Sequence, residues 1–227
     1  MTFKESFSSN NNALSKHYDE LVSKFGSDPK SNQWRDQISQ IRRFEILLNG
    51  LSLSLSLSKL SILDFGCGTG ALFSYLKSTC QFKGNYTGID ISANAIAIAK
   101  SIHPDGEFQQ FDILANELPA SYDYVFVSGT FNNQSENHLE WVCENLQKLF
   151  QNTNVALIFN MLTNYVDYKD EGVYYSDPEE LFGFCKRELS PAVNLLHSES
   201  IYEDLPPFEY VIQVFKSAST TRKKLCN

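Results

Sequence analysis

The chain has 227 residues, 42% of them hydrophobic, which is enough apolar content for one large buried core and too little length for two. A formal charge of -8 and a pI near 5.0 argue against a protein that covers a phosphate backbone, because such proteins present a basic face that releases counterions. Five cysteines (67, 80, 143, 185 and 226) form no CxxC pair and, with no export signal or long apolar run, read as free thiols in a soluble cytoplasmic protein without disulfide or zinc.

Residues 1 to 12 are polar and rich in Asn and Ser, and read as a loose tail with ordered structure starting near Ala13. Apolar and aromatic residues at helical spacing predict helices over Leu14 to Phe25 and Trp34 to Leu48, the second carrying Ile38, Ile41, Phe44, Leu47 and Leu48. From Leu51 to Ser58 the pair Leu-Ser repeats four times. Gly50 ends the helix before this run and serine competes for backbone hydrogen bonds, which favours a linker over a period-2 strand. Beyond it, strand-like and helix-like segments alternate in the manner of a parallel sheet with crossover helices. The strands are Ser61 to Phe65, Asn85 to Ile89, Glu107 to Phe111, Tyr124 to Val127, Val155 to Asn160, Val193 to Ser198 and Tyr210 to Phe215. Helices fall at Ala71 to Ser78, Ser92 to Ile102 with Ser92 as N-cap, and Leu139 to Phe150 with Leu139, Val142, Leu146 and Leu149 on one face. A further helix follows Ser176-Asp177-Pro178-Glu179, a capping box with proline in its first turn. The domain reading is thus a tail and helical cap over 1–58 belonging to the same domain as a core over 59–216, then a disordered tail over 217–227.

The most informative stretch is Ile62-Leu63-Asp64-Phe65-Gly66-Cys67-Gly68-Thr69-Gly70-Ala71, a hydrophobic strand running through three alternate glycines into a helix. Glycines 66, 68 and 70 permit positive φ and close approach of a ligand to bare backbone, and the helix beginning near Ala71 points free N–H groups at it. Asp64 arrives at the carboxyl edge of the sheet, where doubly wound folds bind ligands. Asp90 closes the next strand twenty residues after Gly70, the distance at which such folds place a carboxylate on a ribose diol.

These residues, with Gly88-Ile89-Asp90-Ile91-Ser92 and Phe108-Gln109-Gln110-Phe111-Asp112-Ile113, resemble the first three motifs of class I S-adenosylmethionine-dependent methyltransferases. The similarity runs from about Tyr18 to Phe215. Within the class the chain resembles bacterial small-molecule methyltransferases through Tyr18-Asp19, Trp34, Gln40, Arg43-Phe44, Ser128-Gly129-Thr130-Phe131-Asn132, Phe159-Asn160 and Tyr165-Val166-Asp167-Tyr168. The resemblance implies an α/β fold: a three-layer Rossmann-like sandwich whose seven-stranded, mostly parallel sheet ends in an antiparallel strand, with an N-terminal helical cap. It implies S-adenosylmethionine as cofactor, S-adenosylhomocysteine as product and no metal. Asp64 and the backbone of Gly66, Cys67, Gly68 and Gly70 then serve the methionine part, Asp90 with Ile91 the ribose, and Asp112 with Ile113 the adenine, while Ser128 lies beside the sulfonium.

Other positions carry two readings each. Arg43 either forks the cofactor carboxylate, a geometry that suits guanidinium, or lies on a solvated helix face with Arg42. Trp34 and Tyr18 either form a lid over cofactor and substrate or anchor the first helices to the core. Tyr165 to Tyr175 combines four tyrosines with three acids, so Tyr165, Asp167 and Tyr175 are candidates for gripping a polar or cationic acceptor, against an ordinary acidic surface loop. Asn132, Asn133, Glu136 and His138 follow the fourth strand, where one of them orients the nucleophile or takes its proton, or His138 is an exposed helix residue.

Absences narrow the acceptor: Ser128-Gly129-Thr130-Phe131 replaces the Asp/Asn-Pro-Pro-aromatic pattern of enzymes that methylate exocyclic amines, and no Pro-Cys nucleophile occurs there. The expected activity is methyl transfer to nitrogen or oxygen of a small polar metabolite such as an amine, an amino-acid derivative or a sugar. The expected partner is that small molecule, not nucleic acid or membrane, with monomer and homodimer both open. A nicotinamide-linked oxidoreductase and a SAM-binding protein without turnover stand as alternatives. Against the former, G-x-G-x-G with a preceding acid replaces the dinucleotide spacing G-x-G-x-x-G.

Overall fold

The computed structural model describes residues 3–49, 51, 59–202 and 204–216. Strands β1 (Ser61–Phe65), β2 (Asn85–Asp90), β3 (Glu107–Gln110), β4 (Tyr122–Val127), β5 (Thr153–Leu162), β6 (Val193–Leu196) and β7 (Glu209–Phe215) form one sheet in the order β3-β2-β1-β4-β5-β7-β6. All pairs from β3 to β5 are parallel, and β7 runs antiparallel to both β5 and β6. This is the doubly wound α/β sandwich expected, with its strand order reversing between β1 and β4, where a crevice opens at the carboxyl ends.

Burial on both faces explains why the central strands form. Ile62, Leu63, Val125, Phe126, Val127, Leu157, Ile158 and Phe159 are all fully buried, the continuous apolar pattern of a covered parallel sheet. Alternate residues serve opposite layers. Leu63, Val125, Val127, Leu157 and Phe159 pack with Val142, Leu146 and Leu149 of α5 (His138–Gln151) and Leu181 of α6 (Pro178–Phe184). Ile62, Phe126 and Ile158 pack with Phe44 and Leu47 of α2 (Gln37–Leu47), Leu72, Phe73 and Leu76 of α3 (Ala71–Ser78), and Ile96 and Ala99 of α4 (Ala93–Ile102).

The N-terminus departs from expectation. Helix α1 spans Phe3–Phe25, so the polar stretch is no loose tail. Its Ser6, Asn10 and Asn11 are buried, and each has a partner near the start of α5. Asn137 Nδ2 donates to Ser6 Oγ at 3.2 Å, Asn10 Nδ2 to the Glu136 carbonyl at 2.7 Å, and Trp141 Nε1 to Asn11 Oδ1 at 2.9 Å. Hydrophobicity alone gives no sign of this, because the segment docks through satisfied amides with few apolar anchors.

Several boundaries also differ, among them β4, which starts at Tyr122, and β6, which ends at Leu196. Trp34 precedes α2, whose N-cap is Asp36 accepting from Ser39 N at 2.7 Å. Helix α6 is capped by Asp177, which accepts from the N–H groups of Glu179 and Glu180, while Ser176 turns to the Leu162 carbonyl and the Tyr210 hydroxyl. Strand β5 extends four residues beyond the predicted span, two at each end. Gly50, the Leu-Ser run at 52–58, Glu203 and the tail at 217–227 lie outside the described residues. No described helix is long and apolar enough to cross a membrane.

Replacing Asn11 by Ala leaves the Trp141 indole N–H buried without its acceptor. Urea unfolding is expected to show a loss of about 1–3 kcal/mol.

Candidate active site

The glycine turn is held from below and from both sides. Gly66 N and Cys67 N both donate to the Ile89 carbonyl, at 2.8 and 3.1 Å, and Gly70 N closes the turn on the Cys67 carbonyl at 3.0 Å. Gly66 sits at φ +75°, and a Cβ there would lie 2.2 Å from Thr130 Oγ1, which itself donates to the Phe65 carbonyl at 3.0 Å. Gly68 sits at φ +53°, where a Cβ would lie 2.7 Å from Asn32 Oδ1. Side chains from two other segments therefore occupy the space that bare glycines leave.

Two carboxylates are buried against this turn. Asp64, 2% exposed at the end of β1, accepts the Tyr86 hydroxyl at 2.5 Å. Burial pushes its carboxyl up to about 7, the Tyr86 hydrogen bond offsetting part of the rise and the neighbouring Asp90 charge adding to it. Asp90, at the end of β2, accepts Gly68 N on Oδ2 and Ser92 N on Oδ1, both at 2.8 Å. Burial raises its carboxyl above the ordinary carboxylate range while these N–H donors lower it. A third acid, Asp112, follows β3 and turns Oδ1 back onto Leu114 N and Ala115 N at 2.8 and 3.3 Å.

All three acids line one cavity of about 990 Å³, counting the space open to solvent at its mouth. Gly66, Cys67, Gly68, Ile91, Ile113 and Ser128 line it from the sheet side. The facing wall comes from the cap: Asn11, Leu14, Tyr18 and Val22 of α1, Asn32 of the 3₁₀ turn Pro29–Asn32, Trp34, and Gln40 and Phe44 of α2. Trp141 and Asn145 of α5 complete it. Among the described lining residues there is no Lys, Arg or His. Tyr18 accepts from Asn133 Nδ2 at 2.7 Å, and burial together with the Asp90 charge holds its phenol protonated, above the ordinary tyrosine range. The cap is fastened to the sheet side by Asp19, whose Oδ1 accepts from Ser92 Oγ at 2.5 Å and from Asn94 N at 3.1 Å at the start of α4.

Of the sequence candidates, Tyr18, Trp34, Asp64, Gly66, Cys67, Gly68, Asp90, Ile91, Asp112, Ile113 and Ser128 therefore meet around one cavity. Gly70, at φ +87°, stands behind it as the N-cap of α3. Arg43 is elsewhere: its Nε and Nη2 meet Glu209 Oε1 at 2.7 and 2.6 Å, so the fork expected for a ligand carboxylate is taken up by the protein's own.

The residues expected on the acceptor side are also outside the lining. His138 is buried, not exposed, with Nε2 2.9 Å from the Phe131 carbonyl and Nδ1 3.0 Å from Ser135 Oγ. Burial lowers its pKa to about 4, so it is neutral at pH 7. Asn132 holds Tyr174 N through its carbonyl, and its side-chain oxygen is buried without a hydrogen-bond partner. Tyr165 points outward and donates to Glu179 Oε1, Asp167 is exposed, and the Tyr175 hydroxyl accepts from Asp170 N. The 165–175 segment folds back on residues 132–134 instead, through Gln134 N to the Gly172 carbonyl and a bridge between Asn133 and Val173. Sequence reasoning missed Asn11, Asn32, Trp141 and Asn145. Trp141 and Asn145 are not among the residues read as the apolar face of that helix (Leu139, Val142, Leu146 and Leu149), and Asn11 and Asn32 carry no local signal at all.

The family model "Methyltransferase domain" matches residues 62–154. "Putative methyltransferase Rv1506c" of Mycobacterium tuberculosis is 37% identical over 150 residues, covering 63% of this chain and 89% of that protein. The chain belongs to the methyltransferases. A further relative of this methyltransferase, "Putative methyltransferase 235L" of Invertebrate iridescent virus 6, is 28% identical over 131 residues, 53% of this chain and 49% of the viral protein. Two solved structures share its fold. Magnesium protoporphyrin IX methyltransferase (ChlM) from Synechocystis PCC 6803, with bound SAM, superposes with a TM-score of 0.64 at 15% identity, covering 91% of this chain and 97% of that one. The plantazolicin methyltransferase BpumL, in complex with triazolic desmethylPZN analog and SAH, gives 0.63 at 16% identity, covering 92% and 99%.

Two outcomes test this geometry. Gly66→Ala is expected to cost about 1–3 kcal/mol in urea unfolding, because φ is strained and the new methyl meets Thr130; adding Thr130→Ala should recover only the contact part. Asp64 has a folded-state pKa raised from 3.8 to about 7, so it stabilises the ligand-free fold fully below about pH 4 and loses that contribution as pH rises through 7. The stability difference between wild type and Asp64→Asn is thus expected to shift by on the order of 4 kcal/mol across that window, measured by urea unfolding at successive pH values.

Proposed function

We propose that the cavity holds S-adenosylmethionine and that the protein transfers its methyl group to nitrogen or oxygen of a small polar metabolite. The observation that carries this reading is the charge of the cavity: three carboxylates and no basic side chain among the described lining residues, set against a turn whose glycines leave its backbone bare. That arrangement suits a ligand with a sulfonium, an ammonium and a ribose diol. A dinucleotide pyrophosphate would meet Asp64 and Asp90 at the same turn, which opposes the nicotinamide alternative. The Synechocystis and plantazolicin enzymes, solved with SAM and SAH, support the donor.

In this reading Asp64 and the Gly66 to Gly68 backbone hold the amino-acid end. Asp90 gives one lone pair per oxygen to Gly68 N and Ser92 N and keeps another on each for the ribose hydroxyls. Asp112 and Ile113 hold the adenine, and Ser128 lies beside the sulfur. When bound, the donor supplies a methyl group already activated by the positive sulfur. The residues have only to align the acceptor at about 3–3.5 Å and exclude water, the task that fits Tyr18, Trp34 and the α1 wall. With Arg43 engaged elsewhere and the N–H groups of Gly66, Cys67, Gly68 and Gly70 already bonded within the turn, the donor carboxylate falls to neutral side chains such as Gln40. The acceptor then lies among amides and aromatics, a lining that favours a polar molecule without phosphate.

Calorimetry is expected to show binding of S-adenosylhomocysteine and none of NAD, with Asp90→Ala weakening binding at least tenfold through loss of charge-assisted hydrogen bonds of about 1.5–3 kcal/mol each. NAD binding, or no effect of Asp90→Ala, would contradict the proposal. Methyl transfer from labelled donor to a panel of amines and hydroxyl compounds tests the acceptor class.

A further inference from the structure

The buried pair of Arg43 and Glu209, each 6% exposed, takes no part in the chemistry above, and burial of two charges seldom pays in stability alone. Its surroundings suggest a different task. Glu209, the first residue of β7, also accepts from Asn160 Nδ2 through Oε2 at 2.8 Å. Asn160, on β5 and 3% exposed, accepts from Gly129 N through Oδ1 at 2.8 Å. Gly129 sits at φ +68° so close under Trp34 that a Cβ there would lie 2.3 Å from the indole. Trp34 then returns to the start, since the Arg43 guanidinium lies 4.1 Å from its ring centroid.

Arg43, Glu209, Asn160, Gly129 and Trp34 thus close a ring that joins α2, β7, β5, the turn after β4 and the segment before α2. Two of its members, Gly129 and Trp34, line the cavity; the three others do not. We propose that Glu209 is a positioning residue, which through Arg43 and Asn160 locks Trp34 onto the Ser128–Thr130 turn and so fixes the cavity wall beside the transferring methyl. This rests on the cavity being the donor site. The fixed wall is what a water-excluding site needs: the indole lies against the bare Gly129 backbone and under a guanidinium that Glu209 holds in place. Gly129 tolerates no side chain for the same reason.

The test separates this role from plain stabilisation. Arg43→Met with Glu209→Leu replaces the pair by apolar groups of similar size, an exchange that often preserves stability. Protein labelled with 5-fluorotryptophan reports the two tryptophans by fluorine NMR, with Trp34→Phe assigning the Trp34 signal. The expected result is a double variant that melts close to wild type, yet shows a shifted or broadened Trp34 signal and binds S-adenosylhomocysteine about tenfold to a hundredfold more weakly. Asn160→Ala, which keeps the ion pair and removes the bridge between Glu209 and Gly129, should act the same way and decides the question if the double variant does not fold. Wild-type affinity with an unmoved Trp34 signal in the folded variants would overturn the proposal. If wild-type protein itself fails to bind S-adenosylhomocysteine, the donor assignment falls, and the Trp34 signal alone then upholds or overturns the ring.

Discussion

Two carboxylates buried side by side at the ends of β1 and β2 repel each other, and each must find donors or lose its charge. Asp90 finds two backbone N–H groups and Asp64 a tyrosine hydroxyl, so the acids are held in place but remain short of positive charge. Much else in the structure follows from that imbalance. The glycine turn exists where its Gly68 N–H can serve Asp90, and Ser92 starts α4 where its own N–H can do the same. A cation entering the cavity would relieve the strain that burial places on both groups, which makes ligand charge the natural basis of selection.

The cap answers a second demand, because a low-dielectric cavity needs a wall facing the sheet. Here that wall is built mostly from polar contacts. Helix α1 meets the rest of the fold through Asn10, Asn11, Ser15, Tyr18 and Asp19, each hydrogen-bonded to a residue far along the chain. A seam of this kind gives orientation more than adhesion. The ring through Glu209 does for Trp34 what the seam does for α1, and both meet at the cavity.

What could be read from the sequence follows from how local the governing physics is. Strands β1, β4 and β5 are apolar on both faces, and their runs announce a covered parallel sheet; Asp64, Asp90 and Asp112 stand at or just past strand ends, so the topology alone brings them together. The Ser92 cap and the glycine turn are equally local. The first turns of the cap were not legible, because Asn10 and Asn11 find partners 126 and 130 residues away and hydropathy cannot register a satisfied amide. Arg43 was misplaced for the same reason: its carboxylate partner is 166 residues distant, and a fork-shaped cation looks alike whether its anion is a ligand or Glu209. The tyrosine-rich 165–175 segment has the composition of a binding loop, but backbone bonds to residues 132 and 134 hold it away from the cavity.

A crystal structure of the protein soaked with S-adenosylhomocysteine tests the central claim most directly. The ligand is expected along the glycine turn, with its ammonium on Asp64, both ribose hydroxyls on Asp90 and its sulfur beside Ser128 under Trp34. Ligand density elsewhere, or an adenosine lying across the turn with neither carboxylate engaged, would contradict it.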